Sequence, residues 1–157
     1  MASDSGYLYS SSDLAFLLIQ RTYSEVADKQ SAVIRDYLLT HGVEFDRFAF
    51  SVHVGTGITP DPDLPLSIQK GAFRSTQKRI DLLAWRGTRP VIIEAKTRVD
   101  PSTLGQILTY RQLWLEENPD APDPELVVIG RTSDDDTIRA LQTHGVTVLL
   151  YPAPVAQ

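Results

Sequence analysis

The chain has 157 residues, which fits one domain, and its 42% hydrophobic and 22% charged content is that of a folded protein with a real core. It has no cysteine, which excludes a disulfide framework and a thiolate metal centre, and no apolar run of the roughly 18 residues that would span a bilayer. The formal net charge of −5 counts against a protein that coats nucleic acid without specificity, since phosphate contacts need Lys and Arg, but it leaves room for an enzyme whose carboxylates bind metal and whose basic groups are local.

Residues 1–12, rich in Ser, are expected to be a frayed tail; residues 13–152 form the domain and 153–157 a second tail. Leu14–Ile19 is a short apolar segment that docks on the domain or on a partner, which leaves open a homodimer or membership of a larger complex. It is too short for a secretory signal and lacks a basic flank, so the expected location is cytoplasmic, with no membrane contact. A helix is expected over residues 23–41. Thr22 serves as N-cap, Glu25 completes a capping box, and Val26, Val33, Ile34, Tyr37 and Leu38 form its apolar stripe. Gly42 stops it. Residues 43–54 read as a strand, with Phe45, Phe48, Phe50, Val52 and Val54 as β-formers. Residues 55–65 are turn-rich, and Asp61 and Asp63, each after a proline, are ordinary turn chemistry there. Residues 66–78 have no decisive period.

Residues 79–85 and 91–97 are two strands joined by Arg86-Gly87-Thr88-Arg89, whose Gly-X pair suits a two-residue hairpin turn. Asp100 and Pro101 then open a helix with Leu104, Ile107, Leu108 and Leu115 on its apolar face, ended by Pro119. Residues 125–130 are a buried-type strand, Ser133 caps a short helix that begins with three aspartates, and residues 146–151 are a last strand. The order α-β-β-β-α-β-α-β predicts an α/β domain: a mixed sheet flanked by helices. His41 and His144, each before a glycine, read as helix stops. His53 lies in a strand without an evident partner, and three scattered histidines give no zinc spacing.

The hairpin can be indexed. With Gly87 and Thr88 in the turn, Arg86 faces Arg89, and counting back sets Asp81 opposite Glu94 on one face. Lys96, two residues on, shares that face. The other face carries Ile80, Leu82, Ala84, Val91, Ile93 and Ala95 and is wholly apolar. Two carboxylates so close repel unless something neutralises them. A hard Mg²⁺ or Mn²⁺ ion does this well, and the main-chain carbonyl of Ala95 can add an oxygen ligand. Such an ion activates water and stabilises charge on a reacting phosphate, while Lys96 holds the attacking water and offsets negative charge. The chemistry suits phosphodiester hydrolysis.

Asp81 followed by Glu94-Ala95-Lys96 resembles the D…(D/E)-x-K signature of the PD-(D/E)XK nuclease superfamily, and the apolar contexts Ile80-Asp81-Leu82-Leu83 and Ile92-Ile93-Glu94 are usual there. The proline that often precedes the first acid is replaced by Ile80. Gln106 and Tyr110, four apart on the following helix, look like the Gln-x-x-x-Tyr element of RecB-like and lambda-exonuclease-like branches, and the local spacing is similar to that of NucS-type catalytic domains. The resemblance covers residues 22–151, with its motifs within 79–110. It implies the αβββαβ core of restriction-endonuclease-like proteins and a metal-dependent nuclease acting on DNA, with RNA an open alternative. Catalytic roles are implied for Asp81, Glu94, Lys96, Gln106 and Tyr110. Some members use a glutamate of the first helix as a further metal ligand, which here would be Glu25, although the capping box already accounts for it. Lys70, Arg74, Lys78 and Arg79 fall in ten residues with no acid and are the candidates for phosphate contact; Arg98 and Arg111 could extend that surface. Trp85 and Trp114 read as core residues. The competing reading is a nuclease-fold binding or assembly component without activity, since fold does not guarantee chemistry.

Overall fold

The structure is a computed structural model that describes residues 7–155; the first six residues of the expected N-terminal tail and the last two of the C-terminal one lie outside the described residues. Six strands form one mixed sheet in sequential order: β1 (Tyr9–Ser10), β2 (Arg47–Val54), β3 (Lys78–Arg86), β4 (Arg89–Arg98), β5 (Glu125–Thr132) and β6 (Val146–Leu150). The pairs β1–β2, β2–β3 and β3–β4 are antiparallel, while β4–β5 and β5–β6 are parallel. Their crossovers are the helices α4 (Ser102–Glu117) and α5 (Asp135–Thr143), as parallel neighbours require. The N-terminal helices are α1 (Leu14–Ile19) and α2 (Asp28–His41), and α3 (Leu66–Thr76) lies between β2 and β3. The expected αβββαβ order is therefore present, with one helix inserted into it.

Two apolar layers hold the sheet. On one face Val33, Ile34, Tyr37 and Leu38 of α2 and Leu17 of α1 pack on Phe48, Phe50, Leu82, Ala84, Val91, Ile93 and Ile129. On the other, Ile107 and Tyr110 of α4 and Leu141 of α5 cover Leu83, Ile92, Leu126 and Val128. The parallel strands β4 and β5 are thus buried on both faces and read as continuous apolar runs. Trp85 and Trp114, read as core residues, are partly buried and meet edge to face at 6.4 Å against the second layer.

Several local expectations are corrected. Tyr9 and Ser10 pair with β2, so the sheet begins inside the stretch read as frayed. The segment Leu14–Ile19 docks on its own domain: Leu17 is buried, and Leu14 lies where a Cβ on Gly42 would stand, although Phe16 and Ile19 remain exposed. Helix α2 starts at Asp28 with Ala27 as N-cap, so Thr22 and Glu25 form no capping box. Residues 42–44 make a 3-10 turn before β2. Ser133 gives its hydroxyl proton to the Val99 carbonyl, and Asp134 is the cap that accepts from the Thr137 amide. Glu25 and Ser133, both able to cap, found tertiary partners instead, and at α5 the neighbouring Asp134 took the cap.

Candidate active site

The hairpin register is the indexed one: Arg86 pairs with Arg89, Ala84 with Val91 and Leu82 with Ile93. The next pair in that count is Asp81 with Glu94, and there the ladder stops. The backbone amide of Ala95 donates instead to Asp81 Oδ2 at 2.9 Å. The β2–β3 ladder skips the same level: Phe50 pairs with Leu82 and Val52 with Ile80, but Ser51 and Asp81 are unpaired. Ser51 has φ +49°, the left-handed region that non-glycine residues rarely occupy. The side-chain alternation reverses there. Phe50 belongs to the first core layer and Val52, two residues on, to the second. Ile80 follows its partner Val52, so it does not join Leu82 and Ala84 on one apolar face as strict alternation predicted.

This break opens the sheet into a cavity of about 400 Å³ that both layers reach. Its wall includes Asp81, Glu94, Ala95 and Lys96 from the hairpin, Gln106 and Tyr110 from α4, Glu25 from the segment before α2, and Arg79. Seven of the expected site residues and Arg79 of the basic set are thus brought together. Lys96 Nζ stands 3.2 Å from Glu94 Oε1. Gln106 donates to the Tyr110 hydroxyl at 3.1 Å. Lys70, Arg74 and Lys78 do not line the cavity; they stand on α3 and the first residue of β3.

Glu94 is 3% exposed, and its Oε2 is buried with no hydrogen-bond partner. Burial, reinforced by the Asp81 carboxylate, pushes its carboxyl up to about 9, against the pull of Lys96. Burial also raises Asp81, although the Ala95 amide opposes this. Burial lifts the Tyr110 phenol to about 12. Two desolvated acids side by side resist ionising together unless a positive charge neutralises them. Among the described residues no group of three or more His, Cys, Asp or Glu side chains is placed to share an ion. The donors available are therefore two carboxylates with main-chain oxygen. They suit a hard ion that keeps several waters and do not suit zinc, and the orphaned Glu94 oxygen fits that demand.

Glu25 is held otherwise. It has φ +58°, and its carboxylate accepts from His53 Nε2 at 3.0 Å. Arg74 and Arg79 each approach it at 3.9 Å. His53 is buried in β2, and its Nδ1 meets the Arg74 carbonyl at 3.1 Å. The hydrogen bond from His53, with the two guanidiniums, keeps the Glu25 carboxyl below the usual range. His53 therefore has partners 28 and 21 residues away, beyond the reach of any local pattern. Ser51 was missed for the same reason; its hydroxyl donates to the Ser24 carbonyl at 2.8 Å and ties residues 24–25 to β2. Arg111 does not extend the basic surface, since it pairs with Asp123. Asp61 sits in a turn, accepting from the Asp63 amide.

No family model matches the sequence, and no curated protein matches it either. Two solved structures are similar in outline. One is a repair endonuclease from Pyrococcus abyssi, at TM-score 0.48 and 12% identity over 83% of this chain and 50% of that one. The other is an EndoMS–dsDNA complex, at TM-score 0.47 and 13% identity over 87% of this chain and 51% of that one. The chain spans about half the length of each. No helix of the described residues is long and apolar enough to cross a membrane.

Proposed function

We propose that this protein hydrolyses phosphodiester bonds of DNA with the help of a divalent cation, Mg²⁺ or Mn²⁺. The observation that carries the reading is the pair of buried acids at the end of the hairpin ladder, one oxygen of which has no partner, with an ammonium 3.2 Å away. Asp81, Glu94 and the main chain at Ala95 would hold the ion. When bound, the ion would polarise the phosphate and lower the pKa of a water. Lys96, 3.2 Å from Glu94, would orient that water and offset charge on the phosphoryl oxygens. The Ala95 amide donates to Asp81 Oδ2 and fixes the acid, which would therefore need little reorganisation to hold an ion. Gln106 and Tyr110 form the α4 side of the cavity, where the amide and phenol can position the strand being cut. Arg79, at the rim, supplies a cation for a neighbouring phosphate.

The test is a cleavage assay on linear, circular, branched and single-stranded DNA with Mn²⁺, run beside Asp81→Ala. Cleavage that needs the metal and disappears in the variant is expected; equal cleavage by the two proteins would overturn the assignment. Melting with and without Mn²⁺ separates this from a non-catalytic binding module, because a protein that binds the ion only when folded must melt higher in its presence.

A further inference from the structure

Helix α3 has no buried residue, yet it is anchored. Gln69 donates to the carbonyls of Pro62 and Leu64, and the Thr76 hydroxyl accepts from the Ile58 amide. Phe73 O would stand 2.1 Å from a Cβ on Gly57, so the backbones of helix and loop are in close approach there. At about 100° per residue, Leu66, Lys70, Phe73 and Arg74 fall within one side of the helix, and the loop-anchored Gln69 and Thr76 lie on the flank beside Phe73. Leu66 is 65% and Phe73 37% exposed. The stripe runs towards the cavity, because Arg74 at its end stands 3.9 Å from Glu25, which lines it.

We infer that this side of α3 is a platform for an unpaired DNA strand, with a base lying on Phe73 and phosphates on Lys70 and Arg74, leading the strand to the cavity. The charge is complementary: residues 64–80 carry Lys70, Arg74, Lys78 and Arg79 and no acid, in a chain whose net charge is −5. Cations alone would serve a duplex, whose outer surface is phosphate. Exposed apolar side chains set between the cations serve a strand whose base faces are open. The substrate class is therefore single-stranded DNA, or a duplex with a frayed, flapped or gapped region at the cut. This inference rests on the proposal that the cavity receives a phosphodiester.

The experiment measures binding by the full chain in EDTA, where no cleavage occurs, to a labelled single strand and to a hairpin duplex of the same sequence. Tighter binding of the single strand is expected, with Phe73→Ala weakening it about ten-fold while leaving the duplex little changed. Phe73→Tyr should restore it. Lys70→Ala should weaken both and flatten the salt dependence by about one phosphate contact. Equal binding of strand and duplex, no binding of either, or a Phe73→Ala effect that Phe73→Tyr does not rescue, overturns the platform. So does a dimer in light scattering that Phe73→Ala dissolves, which would assign the face to a second copy. Asp81-dependent cleavage with no strand preference would sink the platform and keep the nuclease reading. Selective strand binding without Asp81-dependent cleavage of any substrate would sink the nuclease reading and keep the platform.

Discussion

Two walls face each other across the cavity, and they hold their charged groups by different means. On one, Asp81, Glu94 and Lys96 stand on a hairpin whose register is fixed by main-chain pairing and whose other face is packed against Phe48, Phe50 and α2. On the other, Glu25 stands on irregular backbone at φ +58° and is kept in place by side chains: His53, two arginines, and the Ser51–Ser24 bond beside it. The first arrangement comes from periodic local geometry with a dry core beneath it. The second comes from contacts between distant segments, each worth little alone when half-exposed. A substitution should therefore act through chemistry or core packing on the hairpin wall, and through loosening on the other.

The largest effect expected is that of Lys96→Ala on cleavage, a fall of about 100-fold or more, as for loss of one group that stabilises developing charge. DNA binding in EDTA should change far less; a variant that cleaves within a few-fold of the parent would remove Lys96 from the chemistry. Beneath it, Ile93 is fully buried, and Ile93→Ala should cost about 2–5 kcal/mol in denaturant unfolding. A loss under about 1 kcal/mol would mean that the hairpin wall is not held by the core as described.

The acids themselves give a pH test. Their folded pKa values are raised, so between the ordinary carboxylate range and about 9 the folded chain keeps a proton that the unfolded chain has released. In EDTA, the pair's contribution to stability should thus be full below the unfolded carboxylate pKa and fall as pH climbs towards about 9. Glu94→Gln should flatten that slope. Added Mg²⁺ should raise the melting temperature more at pH 8 than at pH 5, because the ion competes with the proton. A melting temperature that rises over this range in EDTA would contradict the burial of the pair. The smallest effect belongs to the other wall: His53→Ala should cost about 1–2 kcal/mol by leaving polar partners unmet, without abolishing metal-induced stabilisation. Loss of that stabilisation would show that the walls are coupled.

The legible part of this molecule is the part ruled by short-range periodicity. Alternation in residues 79–97 and the Gly87 turn identify the hairpin, and counting along it sets Asp81 level with Glu94, one step beyond the last observed pair, Leu82 with Ile93. The α4 stripe places Gln106 and Tyr110 on one side, and they do bond to each other. The same counting fails at Ile80, because it assumes unbroken alternation, and Ser51, on a different strand, reverses it. Helix α3 escaped because its exposed face mixes apolar and basic residues and offers no core-facing stripe. For Glu25 the local capping rule and the resemblance offer a cap or a metal ligand, and neither points to its partner His53, 28 residues away.

The sequence by itself determined the α-β-β-β-α-β-α-β order apart from β1 and α3, the buried character of β5, and the meeting of two acids and a lysine on one stretch of hairpin. These follow from side-chain period and turn chemistry, which act within a few residues. Only the tertiary structure decided that the ladders break at Ser51 and Asp81, that both helical layers reach the gap, and that Glu25 is claimed by His53, Arg74 and Arg79. Those outcomes depend on which distant hydrogen-bond partner prevails once the chain is packed, and no periodicity encodes that.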